Sequence, residues 1–168
     1  MDLAFTVIRL ALGLAIAAHG AQKLFGWFGG YGLAGTGGWL ESLGFRPGKL
    51  FAFVSGMGEF GGGLLTILGL GGALGPALIV TVMLVAVLTV HIRNGFFQAN
   101  NGWELNLMYV LTSASVAYAG NGPYALDGTF GLSILNTPAQ VSIALGAAVV
   151  LALLNLLARR PVPAAPSA

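Results

Sequence analysis

Cysteine is absent from this chain of 168 residues, which excludes disulfides, thiolate nucleophiles, cysteine-bound zinc and iron–sulfur clusters built from its own side chains. Charge is scarce as well. Seven Lys and Arg and five Asp and Glu make up 7% of the residues, against roughly 25% in a soluble domain. So few charges cannot solvate the outside of a fold of this size, and a lipid-facing surface removes the need. A net charge of +2, with Arg159–Arg160 as the one basic pair and no basic patch interleaved with aromatics, gives no footprint for nucleic acid.

What fills the chain instead is apolar: hydrophobic residues are 57% of the total and the mean hydropathy is +0.87. A helix needs roughly 20 apolar residues to cross a bilayer core. Five stretches approach that length, namely Leu3–Leu24, Leu50–Leu70, Leu74–His91, Trp103–Ala119 and Pro138–Leu157. The expected fold is therefore an all-α membrane bundle, with four core spans and a fifth C-terminal one. The fourth stretch is the weakest, because Glu104 and Asn106 open it and Thr112, Ser113 and Ser115 dilute it. The fifth has the clearest start: Thr137 as N-cap, Pro138 at the first helical position and Gln140 completing a capping box. The bundle is expected over residues 1–158, followed by a short disordered tail at 159–168, rich in proline. The first stretch lacks a basic n-region and is longer than an h-region, so it reads as a span rather than a cleaved leader.

With five spans, Lys23, Arg46, Lys49, Arg93, Arg159 and Arg160 all fall on one side, and the opposite loops hold Asp2 and Asp127 but no Lys or Arg. The positive-inside rule then puts the N-terminus outside and the C-terminus in the cytoplasm. The long loop Gly26–Gly48 carries Thr36–Gly44, a candidate interfacial helix with Trp39, Leu40 and Leu43 turned toward lipid. The same loop contains Gly30-Tyr-Gly-Leu-Ala-Gly35, formally a G-x-G-x-x-G pattern. It follows a membrane helix and enters a loop, where a dinucleotide fingerprint would need a strand before it and a helix after it. It is read as a flexible loop.

The chemistry-bearing residues gather at one leaflet. Glu59 lies near mid-span, where a charge costs about 2.5–3.5 kcal/mol on insertion scales. Its helical neighbours at three and four residues are Ser55, Gly56, Gly62 and Gly63, all small, and Gly58 with Gly62 forms a small-xxx-small pair for close helix packing. Glu59 is therefore expected to point at other helices. His19, Gln22 and Lys23 share a face near the end of the first span. His91 and Arg93 close the third span on that side, and Glu104 and Asn106 open the fourth. The candidate catalytic set is His19, Glu59, His91 and Glu104; the candidate substrate- or quinone-binding set is Gln22, Lys23, Arg93 and Asn106. No metal site is expected. The bland alternatives are that Lys23 and Arg93 are snorkelling anchors, that Glu104 suits a helix start, and that His19 only bonds Glu59 or Glu104. Two histidines also admit haem in principle, which is not the favoured reading because nothing matches their depths.

At these residues the chain resembles the DoxX family of small bacterial membrane proteins. The matching segments are His19-Gly-Ala-Gln-Lys-Leu-Phe-Gly26, Gly58-Glu-Phe-Gly-Gly-Gly-Leu-Leu-Thr-Ile-Leu-Gly69, His91-Ile-Arg-Asn-Gly-Phe-Phe97, Gly102-Trp-Glu-Leu-Asn106 and Gly122-Pro-Tyr-Ala-Leu-Asp127. Together they span about residues 4–127. The resemblance implies a four-helix core in the bacterial cytoplasmic membrane and a role in a quinone-linked oxidoreductase. The family takes its name from a subunit linked to thiosulfate:quinone oxidoreductase. Quinone is the ligand this implies, and since the chain has no cysteine, a protein partner is expected to carry the redox centre. Histidine as a residue type exchanges protons near neutral pH, which suits quinone chemistry. The competing expectations are a membrane scaffold that anchors a soluble redox enzyme and, more remotely, a small transporter.

Overall fold

The computed structural model describes residues 2–160; most of the proline-rich tail expected at 159–168 lies outside them. Among the described residues every regular element is helical. The helices are α1 (Asp2–Phe25), α2 (Gly32–Ser42), α3 (Gly48–Leu68), α4 (Leu74–Ala86), α5 (Glu104–Ala119), the single turn α6 (Leu126–Thr129) and α7 (Pro138–Leu157). Beyond Ala86, α4 continues without a break through a π turn at Val87–His91 and a 3-10 turn at Ile92–Asn94.

Among the described residues four helices are long and apolar enough to cross a membrane: α1, α3, α4 with its extension to Asn94, and α7. Helix α5 has 16 residues, about 24 Å at 1.5 Å per residue, short of a hydrocarbon core of about 30 Å. The polar residues that weaken this stretch in the sequence, Glu104 and Asn106, lie in its first turn. Helix α5 still returns the chain from one end of the bundle to the other, since α4 and α7 run parallel on either side of it. Ala73, just before α4, packs with Val141, and further along the same direction Thr81 Oγ1 donates to Ala148 O at 3.3 Å. The protein is a multi-pass, all-α membrane protein.

Small residues decide how close α1 and α3 come. They run antiparallel with backbones in contact. A Cβ placed on Gly63 would lie 2.7 Å from both Ala17 N and Gly13 O, and one on Gly20 would strike Phe60 N. The small-xxx-small pair faces the other way, with Gly58 against Val82 and Gly62 against Gly75 O and Leu78 of α4. Glycines on two sides thus let α3 pack between α1 and α4 at once. Leu12 and Ile16 of α1, Ile79 and Met83 of α4 and Val116 of α5 fill the core between them. Helix α7 packs on α4 through Val141 and Ala148, starting from the capping box at Thr137 and Gln140. Its far end is tied back to the α2–α3 loop, where Arg159 Nε donates to Leu43 O and Arg160 N to Gly44 O, each at 2.9 Å.

The opposite end is locked by two charges. Arg9, 1% exposed, donates through Nη1 to Thr66 O at 2.8 Å and Ile67 O at 2.6 Å, taking carbonyls that the C-terminus of α3 leaves without intrahelical partners. Helix α3 then stops at Gly69, whose φ of 61° suits glycine after a helix end. Asp127 of α6 is 4% exposed and accepts from Gly71 N and Gly72 N at 2.8 Å and from Asn121 Nδ2 at 2.7 Å. An intramembrane arginine and a loop aspartate, ordinary in the sequence, are here the pins of the α3–α4 turn.

Candidate functional site

Glu59 is the twelfth of the 21 residues of α3, so it sits at mid-span, and it is 2% exposed. With small residues one turn away on both sides, α1 approaches closely enough for Lys23 to reach it. Lys23 Nζ lies 2.5 Å from Glu59 Oε1 and 3.1 Å from Ser55 Oγ. The lysine read as a possible outward anchor turns inward, and it is Lys23 rather than His19 that satisfies the acid. Charge-assisted contacts of this kind are the strong ones. One atom is left over: Glu59 Oε2 is buried and has no hydrogen-bond partner among the described residues.

The pair lies on the wall of a cavity of about 330 Å³, within the usual range for small-molecule sites of roughly 300–1,000 Å³. Five elements and the loop before α5 contribute. Helix α1 gives His19 and Lys23, α3 gives Ser55 and Glu59, and α5 gives Asn106 and Tyr109. The α4 wall runs from Val82 through Val85, Ala86, Thr89 and Val90 to His91, across the π turn. Such turns shift the register of a helix and recur at functional sites. Helix α2 and the loop after it close the cavity with Trp39, Leu40 and Phe45. A short helix does form in this loop, but as Gly32–Ser42, starting inside the glycine-rich segment read as a flexible loop, and its Trp39 and Leu40 line the cavity.

The Nδ1 of His91 lies 2.8 Å from Asn101 O; a carbonyl only accepts, so Nδ1–H is the donor. Asn101 reaches this position with φ 58°, a left-handed conformation that asparagine tolerates better than most residues. Asn94 Nδ2 donates to the same carbonyl at 3.1 Å. His19 stands edge-on to Tyr109, with ring centroids 6.2 Å apart. Asn106 is buried and its Nδ2 points at Met83 Sδ, 3.5 Å away.

Of the eight residues singled out from the sequence, five line one cavity: His19, Lys23, Glu59, His91 and Asn106. Three do not. Glu104 accepts from Gln98 N at 2.9 Å and shapes the loop that precedes α5. Gln22 donates to Phe28 O at 3.2 Å and lines a separate cavity of about 190 Å³ with Lys23, Tyr31 and Trp39. Arg93 is exposed on the 3-10 turn after His91. Tyr109 is the residue the sequence reading missed. It follows Asn106 by three positions, which puts both on one helical face, and that spacing was the available signal.

An adjoining cavity of about 80 Å³ shares Leu40, Phe45, Ser55, Val82 and Val85 with the first and adds Phe51, Val54, Thr81 and Asn155. A compartment with polar groups on one part of its wall thus lies beside a largely apolar one between α3, α4 and α7.

Compared with known proteins, the chain matches the family model DoxX over residues 4–92, 89 of its 168 residues. That stretch holds α1 to α4 and the residues His19, Lys23, Glu59 and His91; the resemblance drawn from sequence further on, to residue 127, lies outside it. No curated protein and no solved structure matches the chain.

Proposed function

The chain belongs to the DoxX family, and from that premise we propose that it is the membrane subunit of a quinone-linked oxidoreductase, with the cavity at Glu59 as its quinone site. The observation that carries this reading is the buried Lys23–Glu59 pair on the wall of a ligand-sized cavity, with one carboxylate oxygen still unpartnered. An ion pair at mid-span is costly to bury, and an ionisable group within a span is by default a functional-site candidate. His19, His91, Asn106 and Tyr109 add polar groups suited to the oxygens of a ring. The adjoining apolar compartment has the character that an isoprenoid chain needs. The residues present fit a quinone head group. In this role His19, Glu59 and His91 exchange protons with the ring, Lys23 and Asn106 orient it, and the redox centre resides in a protein partner. The basic end, and with it the cavity, faces the cytoplasm across the inner membrane, as the charge bias predicts.

The test is equilibrium binding of a short-chain quinone analogue to the purified protein. Saturable binding that weakens at least about tenfold in Glu59→Gln and in His19→Ala, the loss of one good hydrogen bond, supports the reading. No saturable binding, or binding unchanged in both variants, removes it.

A second reading keeps the scaffold role. Trp27, Phe28, Tyr31 and Phe97 are 56%, 72%, 85% and 64% exposed in the loops at the cavity's end of the bundle. They would serve to seat a soluble enzyme there. Recovery of the same partners by a variant with these four residues changed to serine would rule that surface out.

A further inference from the structure

Two segments far apart in the sequence meet at the basic end of the bundle. Arg159 Nε donates to Leu43 O and Arg160 N to Gly44 O. The Arg159 guanidinium sits 5.5 Å from the centre of the Phe45 ring, and a Cβ on Gly44 would strike Arg160 O. The end of α7 is thereby docked beside Arg46. All three arginines are exposed. Among the described residues none of them has a carboxylate within ion-pair distance, and Glu41, the acid of the same stretch, accepts from Gly48 N. We infer that this junction is a seat for an anionic phospholipid, with the head group on Arg46, Arg159 and Arg160 and an acyl chain in the apolar slot between α3, α4 and α7.

The slot lies on the membrane side of the arginines. Phe45, which carries Arg159 over its ring, is one of its lining residues, and Asn155, one helical turn before Arg159, is another. Phe51, Val54, Val82 and Val85 make most of the remaining wall hydrocarbon. Val54 is 51% exposed, which puts part of that wall on the outer surface, the lipid side of a spanning helix. A guanidinium offers a planar fork of donors that matches phosphate, and basic pockets between spans at this level bind anionic head groups. A free phosphate has no use for the slot, and a neutral ring has no use for three cations. The seat therefore goes beyond the quinone reading and does not depend on it.

The experiment is native mass spectrometry of the full chain in a non-ionic detergent. The protein is titrated with phosphatidylglycerol, with phosphatidylcholine of the same acyl chains and with glycerol phosphate, at low and at raised ammonium acetate. Phosphatidylglycerol is expected to form a one-to-one adduct at least about tenfold tighter than phosphatidylcholine, with the margin shrinking as salt rises. Arg46→Gln and Arg159→Gln are each expected to weaken it about fivefold, the worth of one cation at an anionic surface. Arg93→Gln, which removes an exposed cation at the same end but outside the junction, stays within about twofold of the parent. Val54→Trp fills the outer wall of the slot and is expected to weaken phosphatidylglycerol at least about fourfold, one methylene displaced. Equal binding of the two phospholipids, a loss in Arg93→Gln as large as in Arg159→Gln, or unchanged binding in Val54→Trp overturns the seat. Glycerol phosphate as tight as the phospholipid shows a phosphate site without a lipid and overturns it too. The lipid comparison and its salt dependence need no variant, so the outcome does not hang on the folding of any substitution.

Discussion

Lys23 of α1 lies 2.5 Å from Glu59 of α3, so the acid at the middle of one span is neutralised by a base near the end of another. The two partners are unequal: the side chain of Glu59 is 3% exposed and that of Lys23 is 25% exposed. Removing the base is therefore the more damaging change, because it strands a carboxylate that water cannot reach.

Lys23→Ala is expected to destabilise the protein by about 2–3 kcal/mol, less than the roughly 3–5 kcal/mol of a fully buried pair because Lys23 is partly solvated. The double variant Lys23→Met with Glu59→Leu is expected to recover most of that loss, since an apolar pair of similar volume needs no desolvation. Thermal unfolding in one detergent measures both. A double variant less stable than Lys23→Ala would show that the pair itself holds the helices together.

Gly63→Ala is expected to cost about 1–3 kcal/mol, because its Cβ would meet backbone atoms of α1 that cannot swing aside. Gly61 lies two residues earlier on the same helix with open space where a Cβ would go, so Gly61→Ala is the matched control and stays within about 0.5 kcal/mol of the parent. Equal melting temperatures for the two variants would contradict the close α1–α3 approach.

Asp127→Ala leaves Gly71 N and Gly72 N without their acceptor. A loss of about 3–6 kcal/mol is expected from two hydrogen bonds to a charged group. Because the cavity lies at the other end of the bundle, ligand affinity of the folded fraction should not change. Unfolding by denaturant and dialysis on the same sample separate the two effects.

Orientation can be read by labelling, since the chain has no cysteine of its own. Asp127 itself is too buried to report, whereas Gly128 is exposed and has open space at its Cβ. Gly128→Cys is expected to react with an impermeant maleimide from the periplasmic side, and Arg46→Cys only after the membrane is opened. The reverse pattern would invert the topology.

Most of the fold is written in hydropathy and punctuation. The start of α7 at Thr137–Pro138 and its capping box follow from local residue types alone. The paired faces of α3 follow from glycine spacing. That Glu59 must face protein was legible because an acid in hydrocarbon has few alternatives. Which partner satisfies it was not, since His19 and Lys23 share a face of α1 and differ by one turn. Arg9 and Asp127 were opaque for a related reason. Each bonds to backbone atoms of a turn far away in the chain, and main-chain groups leave no mark in side-chain pattern. The cavity was half legible: the helix ends that converge could be named, but the π turn that sets the face of His91, and the loop that removes Glu104 from the wall, depend on backbone geometry.

The backbone-to-backbone seam between α1 and α3, with Gly63 set against Ala17 and Gly20 against Phe60, leaves no slack for those two rods to slide or rock. Lys23 and Glu59 therefore ride on a single stiff plate. Any breathing that opens the cavity has to come from the opposite jaw, the α4 segment around Val87–His91, where a π turn already interrupts the regular helical ladder, with the short α5 beside it.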